Sequence, residues 1–254
     1  MSGAAKGPLV RFGDIVFRWR NLLFPVIVLG LVLAVPPAAT LGGSAVLDGW
    51  RDGVAMAVVV LGLAIRFYTI GWAYIQRGGR NKRVYADDLV TSGCFALCRN
   101  PLYVGNVVLY AGVFLLHGAP LVIAAGIAAF VVAYVAIVAA EEHFLRERFG
   151  AAYAEYCADV PRWWPRLGRL REATAGMRFS LRRSVTKDYT TIVNAALAVI
   201  AVEVLERVHH APPAEVAQSL RWAAVGVVVL LVAGVAAKVY KKRTAPGKPD
   251  NAQA

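Results

Sequence analysis

Cysteine is scarce in this sequence, and its spacing argues against a metal or redox role. The chain of 254 residues has three cysteines, Cys94, Cys98 and Cys157. Cys94 and Cys98 have three residues between them and no histidine pair nearby, so neither a zinc site nor a redox pair is indicated. We interpret all three as packing residues in segments where thiols stay reduced.

Acidic residues are also scarce. Sixteen Asp and Glu stand against 28 Lys and Arg, which gives a formal charge of +12, while 58% of the residues are hydrophobic and the mean hydropathy is +0.55. A soluble domain rarely combines so much apolar sequence with such a basic excess. The two classes that fit are a nucleic-acid binder and a membrane protein with basic cytoplasmic loops.

Charge is nearly absent from six long stretches, most of which approach the roughly 20 apolar residues needed to cross a ~30 Å hydrocarbon core. The stretches are 21–43, 53–75, 101–116, 119–140, 189–205 and 222–240. The fifth is the weakest, because Glu203 and Glu206 interrupt its end. The sequence therefore predicts an all-α, polytopic membrane helix bundle with about six transmembrane helices.

The lysines and arginines cluster mainly outside these stretches, at 1–20, 76–100, 141–190 and 238–254. Six alternating spans put all four clusters on one side of the membrane, which is the cytoplasmic side by the positive-inside rule. No soluble domain is left over to carry a nucleic-acid surface, so we expect no nucleic-acid partner. We expect an integral protein of a bacterial inner membrane, embedded in the lipid bilayer with both termini cytoplasmic.

This arrangement of six alternating spans divides the chain into four parts. A cytoplasmic segment and the first transmembrane helix occupy 1–50, and a membrane core occupies 51–170. A basic linker and a two-helix membrane extension follow at 171–240. Residues 241–254 are predicted to be a disordered tail.

The motif "RNPLYVG" begins the third apolar stretch. Asn100 is a good N-cap, and Pro101 suits the first helical position, where its missing N–H costs nothing. The helix start then presents free N–H groups and a positive dipole end, which bind anions such as carboxylates, and Arg99 adds a guanidinium suited to a carboxylate. The alternative interpretation is a capped helix beside a snorkelling arginine.

Two adjacent acids, Glu141 and Glu142, mark the end of the fourth apolar stretch. An amphipathic helix with an aromatic stripe over 149–156 follows them, and we expect it to lie at the cytoplasmic interface or to close over a cavity. Because a short hairpin joins the third and fourth spans, 99–105 and the two acids return to the same side. A carboxylate beside a carboxylate-binding helix end would suit a zwitterion.

These motifs, in this order, resemble the isoprenylcysteine carboxyl methyltransferase and phospholipid methyltransferase group of integral membrane enzymes. The matching pattern is "LVTSG" followed by Phe95, then "RNPLYVG", a two-helix hairpin, and "EEHFLRERFGAAYAEYCADVPRWWP". It spans roughly 60–166. The segment "LGLAIRFYTIG", which contains Arg66, also resembles the helix that precedes the family core.

The resemblance implies S-adenosylmethionine as cofactor and methyl transfer to a membrane-embedded, amphipathic lipid or isoprenoid-like acceptor. The positions that it implies for cofactor binding are Leu89, Val90, Phe95, Asn100, Pro101, Leu102, Tyr103, Gly105 and Glu141. Glu142 and Arg99 match the remaining motif positions and are the catalytic candidates, with Glu142 as a proton acceptor.

Arg66 is the candidate for binding the head group of the substrate. It lies about midway through the second apolar stretch, where an unpaired charge costs at least ~2.5–3.5 kcal/mol. We therefore expect it to face the bundle and to have an acidic or carbonyl partner. A purely structural ion pair is the equal alternative to substrate binding.

Three positions depart from the family pattern. Phe95 stands where the family usually has Tyr, Asn100 replaces the His that is common in the prenylcysteine enzymes, and Ile137 stands where those enzymes have an arginine. We expect cofactor binding to be retained. A prenylcysteine carboxylate is the less favoured acceptor.

The C-terminal extension contains a cluster of potential metal ligands, Glu203, Glu206, His209 and His210. Prolines 212 and 213 end the helix directly afterwards. We therefore interpret the cluster as a polar helix end at the outer interface and expect no metal.

Two other functions compete with methyl transfer. One is a catalytically inactive relative that serves as a membrane scaffold or binds a partner, which Phe95 leaves open. The other is an NADPH-dependent enzyme like the membrane sterol reductases, whose helical core resembles this group. The spacing of "EE", "FG" and the two tyrosines that follow favours methyl transfer.

Overall fold

The computed structural model describes residues 6–38, 40, 43–73, 84 and 86–243, which form seven α-helices and no β-sheet. The helices are α1 (Pro8–Ala34), α2 (Ala45–Trp72), α3 (Pro101–His117), α4 (Pro120–Asp159), α5 (Leu170–Ala173), α6 (Leu181–His210) and α7 (Pro213–Arg243). Two 3-10 turns, Gly93–Ala96 and Leu167–Arg169, lie in the connections. The all-α prediction is confirmed.

Four of the described helices, α1, α2, α4 and α7, are long and apolar enough to cross a membrane. Helix α3 is apolar but shorter, and α6 has 30 residues but does not reach the same hydropathy. The first two turns of α6 carry four charged residues, Arg182, Arg183, Lys187 and Asp188, which lower its hydropathy. The chain is an integral membrane protein, and the count of six spans stays a prediction.

Helix α4 consists of two helical segments that meet at a kink. The fourth predicted span continues as a helix over 120–149, and a second segment runs over 151–159 after Gly150, where φ is 51° and ψ is −119°. A positive φ is accessible to glycine at little cost, so the chain changes direction there. The second segment carries Tyr153 and Tyr156 of the predicted amphipathic helix, which therefore begins later than the sequence indicated, after Gly150.

Close approach of α2 and α3 depends on glycines in both helices. A Cβ at Gly62 would lie 2.5 Å from the backbone nitrogen of Leu109, and a Cβ at Gly112 would lie 2.6 Å from that of Val59. Small residues of this kind let membrane helices approach until their backbones touch. This contact fixes α3, whose first turn belongs to the site described below.

The helix ends form two groups, which we name the site end and the far end. At the far end, Ala38 N donates to His117 O at 3.2 Å, and a ring nitrogen of His210 lies 2.9 Å from Pro37 O. These contacts join the connections α1–α2, α3–α4 and α6–α7. The opposite, site end holds the first turn of α3 and the middle of α4, as the predicted hairpin requires.

The C-terminal extension packs through α6, which contacts α2, α3 and α7, while α7 has no buried residue. Helix α7 continues to Arg243, beyond the predicted start of the tail at 241. The rest of the predicted tail, and most of the basic stretch 76–85, lie outside the described residues.

Candidate functional site

A cavity of about 980 Å³ lies at the site end, between α1, α3, α4, α6 and the segment before α3. Its volume is in the range of small-molecule sites. Ten of the twelve predicted site residues line it: Arg66, Leu89, Val90, Phe95, Arg99, Asn100, Leu102, Tyr103, Glu141 and Glu142. The other two, Pro101 and Gly105, are not lining residues. A Cβ at Gly105 would lie 2.7 Å from Cγ of Arg66, so this glycine serves the contact with α2.

The first turn of α3 has the predicted proline but not the predicted cap. Pro101 is the first helical residue and Asn100 occupies the N-cap position, yet the Asn100 side chain makes no capping hydrogen bond. Its Nδ2 instead donates to Arg162 O at 3.1 Å. The capping expectation was wrong: the contact of Nδ2 with a backbone carbonyl after α4 orients the amide, and Oδ1 accepts no hydrogen bond from the first turn. The first turn therefore lacks a side-chain cap where it meets the cavity.

Glu141 and Tyr103 join α4 to α3 at the cavity wall. Tyr103 Oη donates to Glu141 Oε1 at 2.6 Å, and both side chains line the cavity. This contact confirms that the hairpin returns the two motifs to one place. A carboxylate held by a single phenol keeps hydrogen-bonding capacity for a cationic ligand.

Glu142 points to a different set of partners from Glu141. It is 2% exposed and accepts hydrogen bonds from three arginines. The donors are Arg99 Nη1 at 3.0 Å, Arg146 Nη2 at 3.0 Å, and Arg162 through Nε at 2.9 Å and Nη2 at 2.6 Å. Both carboxylate oxygens are engaged, so the geometry favours a positioning role. The proton-acceptor role stays a prediction.

Arg99 combines paired donors with one nitrogen that has no partner. Its Nη1 donates to Glu142 and to Cys157 Sγ, the latter at 2.9 Å. Its Nε is buried and has no hydrogen-bond partner among the described residues, which is costly. The Arg99 side chain also lines the cavity, where a guanidinium suits a carboxylate ligand.

The segment 160–166, which follows α4, holds the segment 97–100 in place. Arg99 N donates to Pro161 O at 2.9 Å, and Arg166 N donates to Leu97 O at 3.1 Å. The Cys98 thiol lies 3.2 Å from Trp163 O, and burial raises its pKa to about 11, so it stays a protonated packing residue. For the segment 160–166 the sequence indicated only an interfacial belt. The "VP" at its start, which belongs to the family pattern, was the one sequence feature that pointed to the contact with 97–100.

The aromatic stripe of α4 closes over the cavity, the second of its two predicted roles. Tyr153 and Tyr156 both line the cavity, and Tyr156 Oη donates to Phe95 O at 2.7 Å. Phe95 itself is buried. The tyrosines therefore fix the backbone at the position where the family usually has a tyrosine side chain.

Arg66 has the acidic partner that the sequence required. Its guanidinium donates to both carboxylate oxygens of Asp188, to Thr191 Oγ1 at 2.9 Å, and to Asn106 Oδ1. Asp188 is the single acidic residue between Glu172 and Glu203, a signal that could have identified it. Since the guanidinium of Arg66 already donates to both carboxylate oxygens of Asp188, a structural ion pair is the favoured interpretation. The role of Arg66 in substrate binding stays a prediction.

The sequence missed the contribution of α1. Arg20, Asn21, Phe24, Pro25, Val28, Leu29 and Val32 all line the cavity, although α1 precedes the predicted core. No motif in α1 indicated a site, because an apolar helix has the same sequence pattern whether it faces lipid or a cavity.

The predicted outer cluster is not assembled as a metal site in the part of the chain that the structure describes. The one group of acids close enough to share an ion is Asp48, Asp52 and Glu206, without either histidine of the cluster. Arg51 already pairs with these three carboxylates, at 2.8, 2.8 and 3.7 Å.

Comparison with known proteins agrees with this geometry. Residues 50–152 match the family model described as "Phospholipid methyltransferase". The chain is 33% identical to the cobalt-zinc-cadmium resistance protein CzcN of Cupriavidus metallidurans over 137 residues, 53% of this chain and 60% of that relative. It is 27% identical to the nickel-cobalt-cadmium resistance protein NccN of Alcaligenes xylosoxydans xylosoxydans over 212 residues, 82% of this chain and 93% of that relative. No solved structure is significantly similar.

The family match covers most of α2, all of α3 and most of α4, and it includes Arg66, Asn100, Tyr103, Glu141 and Glu142 of the cavity. It confirms the resemblance on which the site was predicted and indicates methyl transfer to a membrane substrate. Residues 50–152 therefore match the phospholipid methyltransferase family, the family that the motifs of this sequence resemble.

Proposed function

We propose that the protein transfers a methyl group from S-adenosylmethionine to a lipid or isoprenoid-like acceptor within the membrane. One observation carries the proposal. A single cavity is lined by Glu141, by Arg99 and by the first turn of α3, which has no side-chain cap, and it continues into an apolar region between helices.

The donor groups of the cavity fit the amino-acid part of this cofactor. S-adenosylmethionine, when bound, supplies a methyl group already activated on a sulfonium centre. Arg99 Nε and the start of α3 would hold its carboxylate, and Glu141 would attract its positive charges. Tyr103 orients Glu141 for this task through their 2.6 Å hydrogen bond.

Glu142 has an indirect task in the proposed site. Its contacts with Arg99, Arg146 and Arg162 tie α4 to the segment before α3 and to the segment after α4. Removing it would leave Arg99 without its carboxylate partner and would loosen three parts of the site together. We therefore assign Glu142 to positioning Arg99 rather than to proton transfer.

The apolar walls serve the acceptor and exclude water. Below the charged groups the lining is mostly aliphatic and aromatic, with Phe24, Leu109, Tyr110 and Val113 among its residues. Methyl transfer chiefly needs the acceptor atom aligned with the methyl group, and a dry, preformed cavity provides that alignment.

The test is methyl transfer by membranes that contain the protein. Membranes are incubated with methyl-labelled S-adenosylmethionine and extracted with organic solvent. Label in the organic phase with the wild type, and none with Glu141→Ala, would support the proposal. Equal label in both, or none with either, would contradict it.

Cofactor binding separates this proposal from its two rivals. An inactive scaffold predicts no methyl transfer, and a reductase predicts binding of NADPH. Calorimetry on the purified protein with S-adenosylmethionine and with NADPH measures both. If the protein bound NADPH and not S-adenosylmethionine, the reductase function would be favoured over methyl transfer.

Both relatives are named as metal-resistance proteins, and this suggests the cellular process in which the proposed methyl transfer takes part. Arg51 already pairs with the only group of acids among the described residues that could share an ion. We therefore propose that any contribution to metal resistance comes from the modified lipid rather than from metal binding. A strain lacking the protein should regain growth on cobalt or cadmium with the wild type but not with Glu141→Ala.

A further inference from the structure

The cavity is deeper than a cofactor needs. From Asn100 it follows α3 to Val113, about 20 Å at ~1.5 Å per residue. That depth exceeds one leaflet of the hydrocarbon core, about 15 Å. We name the part between α1, α3 and α6, from Asn106 to Val113, the slot.

The slot is closed at its far end. Val32 of α1, Val113 of α3 and Val202 of α6 all line it, and all three are buried in one hydrophobic cluster. Below them, the contact between His210 and Pro37 O holds the end of α6 against the connection after α1. These contacts give the slot a floor.

The slot is open along its side. Its α1 rim contains Asn21, Pro25 and Leu29, which lie four residues apart on one face and are exposed. Its α6 rim contains Asn194 and Ala201, which are also exposed. Lining residues that stay exposed on two facing helices mark a lateral opening toward the bilayer.

Helix α6 gives the slot its width. The residues that it presents include Ala195, Ala198 and Ala201, which are spaced three residues apart, so their small side chains form one strip along the wall. This helix lies beyond 50–152, the part that matches the phospholipid methyltransferase family. The strip is therefore a feature of the extension and not of the matched core.

We propose that the acceptor is a lipid that places one hydrocarbon chain in the slot, and that Ala198 and Ala201 determine the length of chain that fits. The inference rests on the proposed function, since the head of that lipid would lie beside Glu141. From Tyr103, which contacts Glu141, to Val113 the distance along α3 is about 15 Å at ~1.5 Å per residue, which suits a chain that spans one leaflet. The lateral opening lets the rest of the lipid stay in the bilayer. Larger side chains at these two positions would raise the floor.

The experiment uses photo-crosslinking, which does not require turnover. The full chain in nanodiscs is exposed to monoacyl phosphatidylethanolamines that carry a diazirine at the chain end. Their chain lengths are graded from about 10 to about 18 carbons, to bracket the ~15 Å of one leaflet. Peptide mass analysis then locates the crosslinks.

In the wild type we expect the longest probes to crosslink near Val113 and Val202. Ala198→Phe and the more exposed Ala201→Phe should reduce crosslinking of the longest probes about tenfold and leave the shorter probes unchanged, because two buried methylenes correspond to roughly that factor. Ala196→Phe is the matched control, since Ala196 faces the separate groove between α2, α6 and α7.

Three results would overturn the slot: crosslinks confined to the outer surfaces of the helices, no change in either variant, or the same loss in Ala196→Phe. S-adenosylmethionine binding, measured on the same samples, keeps the two proposals apart. Intact cofactor binding with length-independent crosslinking contradicts the slot alone. Length-dependent crosslinking without cofactor binding contradicts the proposed function alone.

Discussion

Arg66 of α2 and Asp188 of α6 form an ion pair in which both residues are buried, at 4% and 0% exposure. It joins the part of the chain that matches the phospholipid methyltransferase family, 50–152, to a helix outside that match. Asn106 and Thr191 complete the hydrogen bonding of the guanidinium. The pair therefore fixes the position of α6, and with it one wall of the cavity.

Removing one partner of this pair should be costly. Asp188→Ala leaves a buried guanidinium without its carboxylate, and we expect the free energy of unfolding to fall by about 3 kcal/mol or more. The double variant Arg66→Met, Asp188→Leu should recover most of that loss. Thermal unfolding in one detergent measures both. A double variant no more stable than Asp188→Ala would contradict the importance of the charge pair.

The contact between Tyr103 and Glu141 should control cofactor affinity. We expect Glu141→Ala to weaken S-adenosylmethionine binding by roughly 10- to 100-fold, the range for a hydrogen bond to a charged group. Tyr103→Phe should weaken it less, since Glu141 keeps its charge. Glu147→Ala is the control, because that side chain on the same helix is half-exposed and pairs with His143. Calorimetry gives the constants.

Glu142 should behave as a positioning residue. Glu142→Ala is expected to lower cofactor affinity and activity while the pH dependence of the rate keeps its shape, because Arg99 loses its partner but no proton acceptor is lost. Arg162→Ala should share this effect, whereas Arg146→Ala should change little, since its side chain is 55% exposed. Loss of one limb of the pH profile in Glu142→Ala would instead restore the proton-acceptor role.

The glycines between α2 and α3 should tolerate no side chain. In Gly62→Ala the new Cβ would meet the backbone of Leu109, so the helices must separate, and we expect a loss of about 1–3 kcal/mol in stability. Gly53→Ala, on the same helix with open space around it, should be neutral or stabilising by up to ~1 kcal/mol. Unfolding temperatures compare the two variants. Equal effects would show that the contact is looser than described.

Cysteine labelling tests which end of the bundle faces the cytosol. Trp164→Cys at the site end and Val46→Cys at the far end replace residues that are 85% and 70% exposed. With a membrane-impermeant maleimide on intact cells, Val46→Cys should react, and Trp164→Cys only after permeabilisation. The wild type sets the background from its own cysteines. The reverse pattern would invert the positive-inside assignment.

Local motifs were sufficient to predict the hairpin and the part of the cavity around Asn100, Tyr103 and Glu141. "RNP" set the start of α3, the two acids marked the same level of α4, and the short connection between them fixed their proximity. Asp188 and Arg162 were missed as partners because each reaches its site from a distant part of the chain. Periodicity and capping preferences describe neighbours in sequence and carry no information about such contacts.

The expected cap at Asn100 failed for the same reason. Local preference predicts that Oδ1 accepts from the first turn of α3, but in the folded chain the contact of Nδ2 with the carbonyl of Arg162 orients the amide. Gly150 separates the two helical segments of α4, where a positive φ turns the chain. The sequence predicted the second segment but placed its start too early.

The floor formed by three valines has a consequence for the product. A lipid of the proposed kind that entered sideways from one leaflet could leave only the way it came, so the methylated product would return to the same leaflet. Turnover would then alter the head groups of a single face of the membrane, and the opposite face would change only as fast as lipids cross between them.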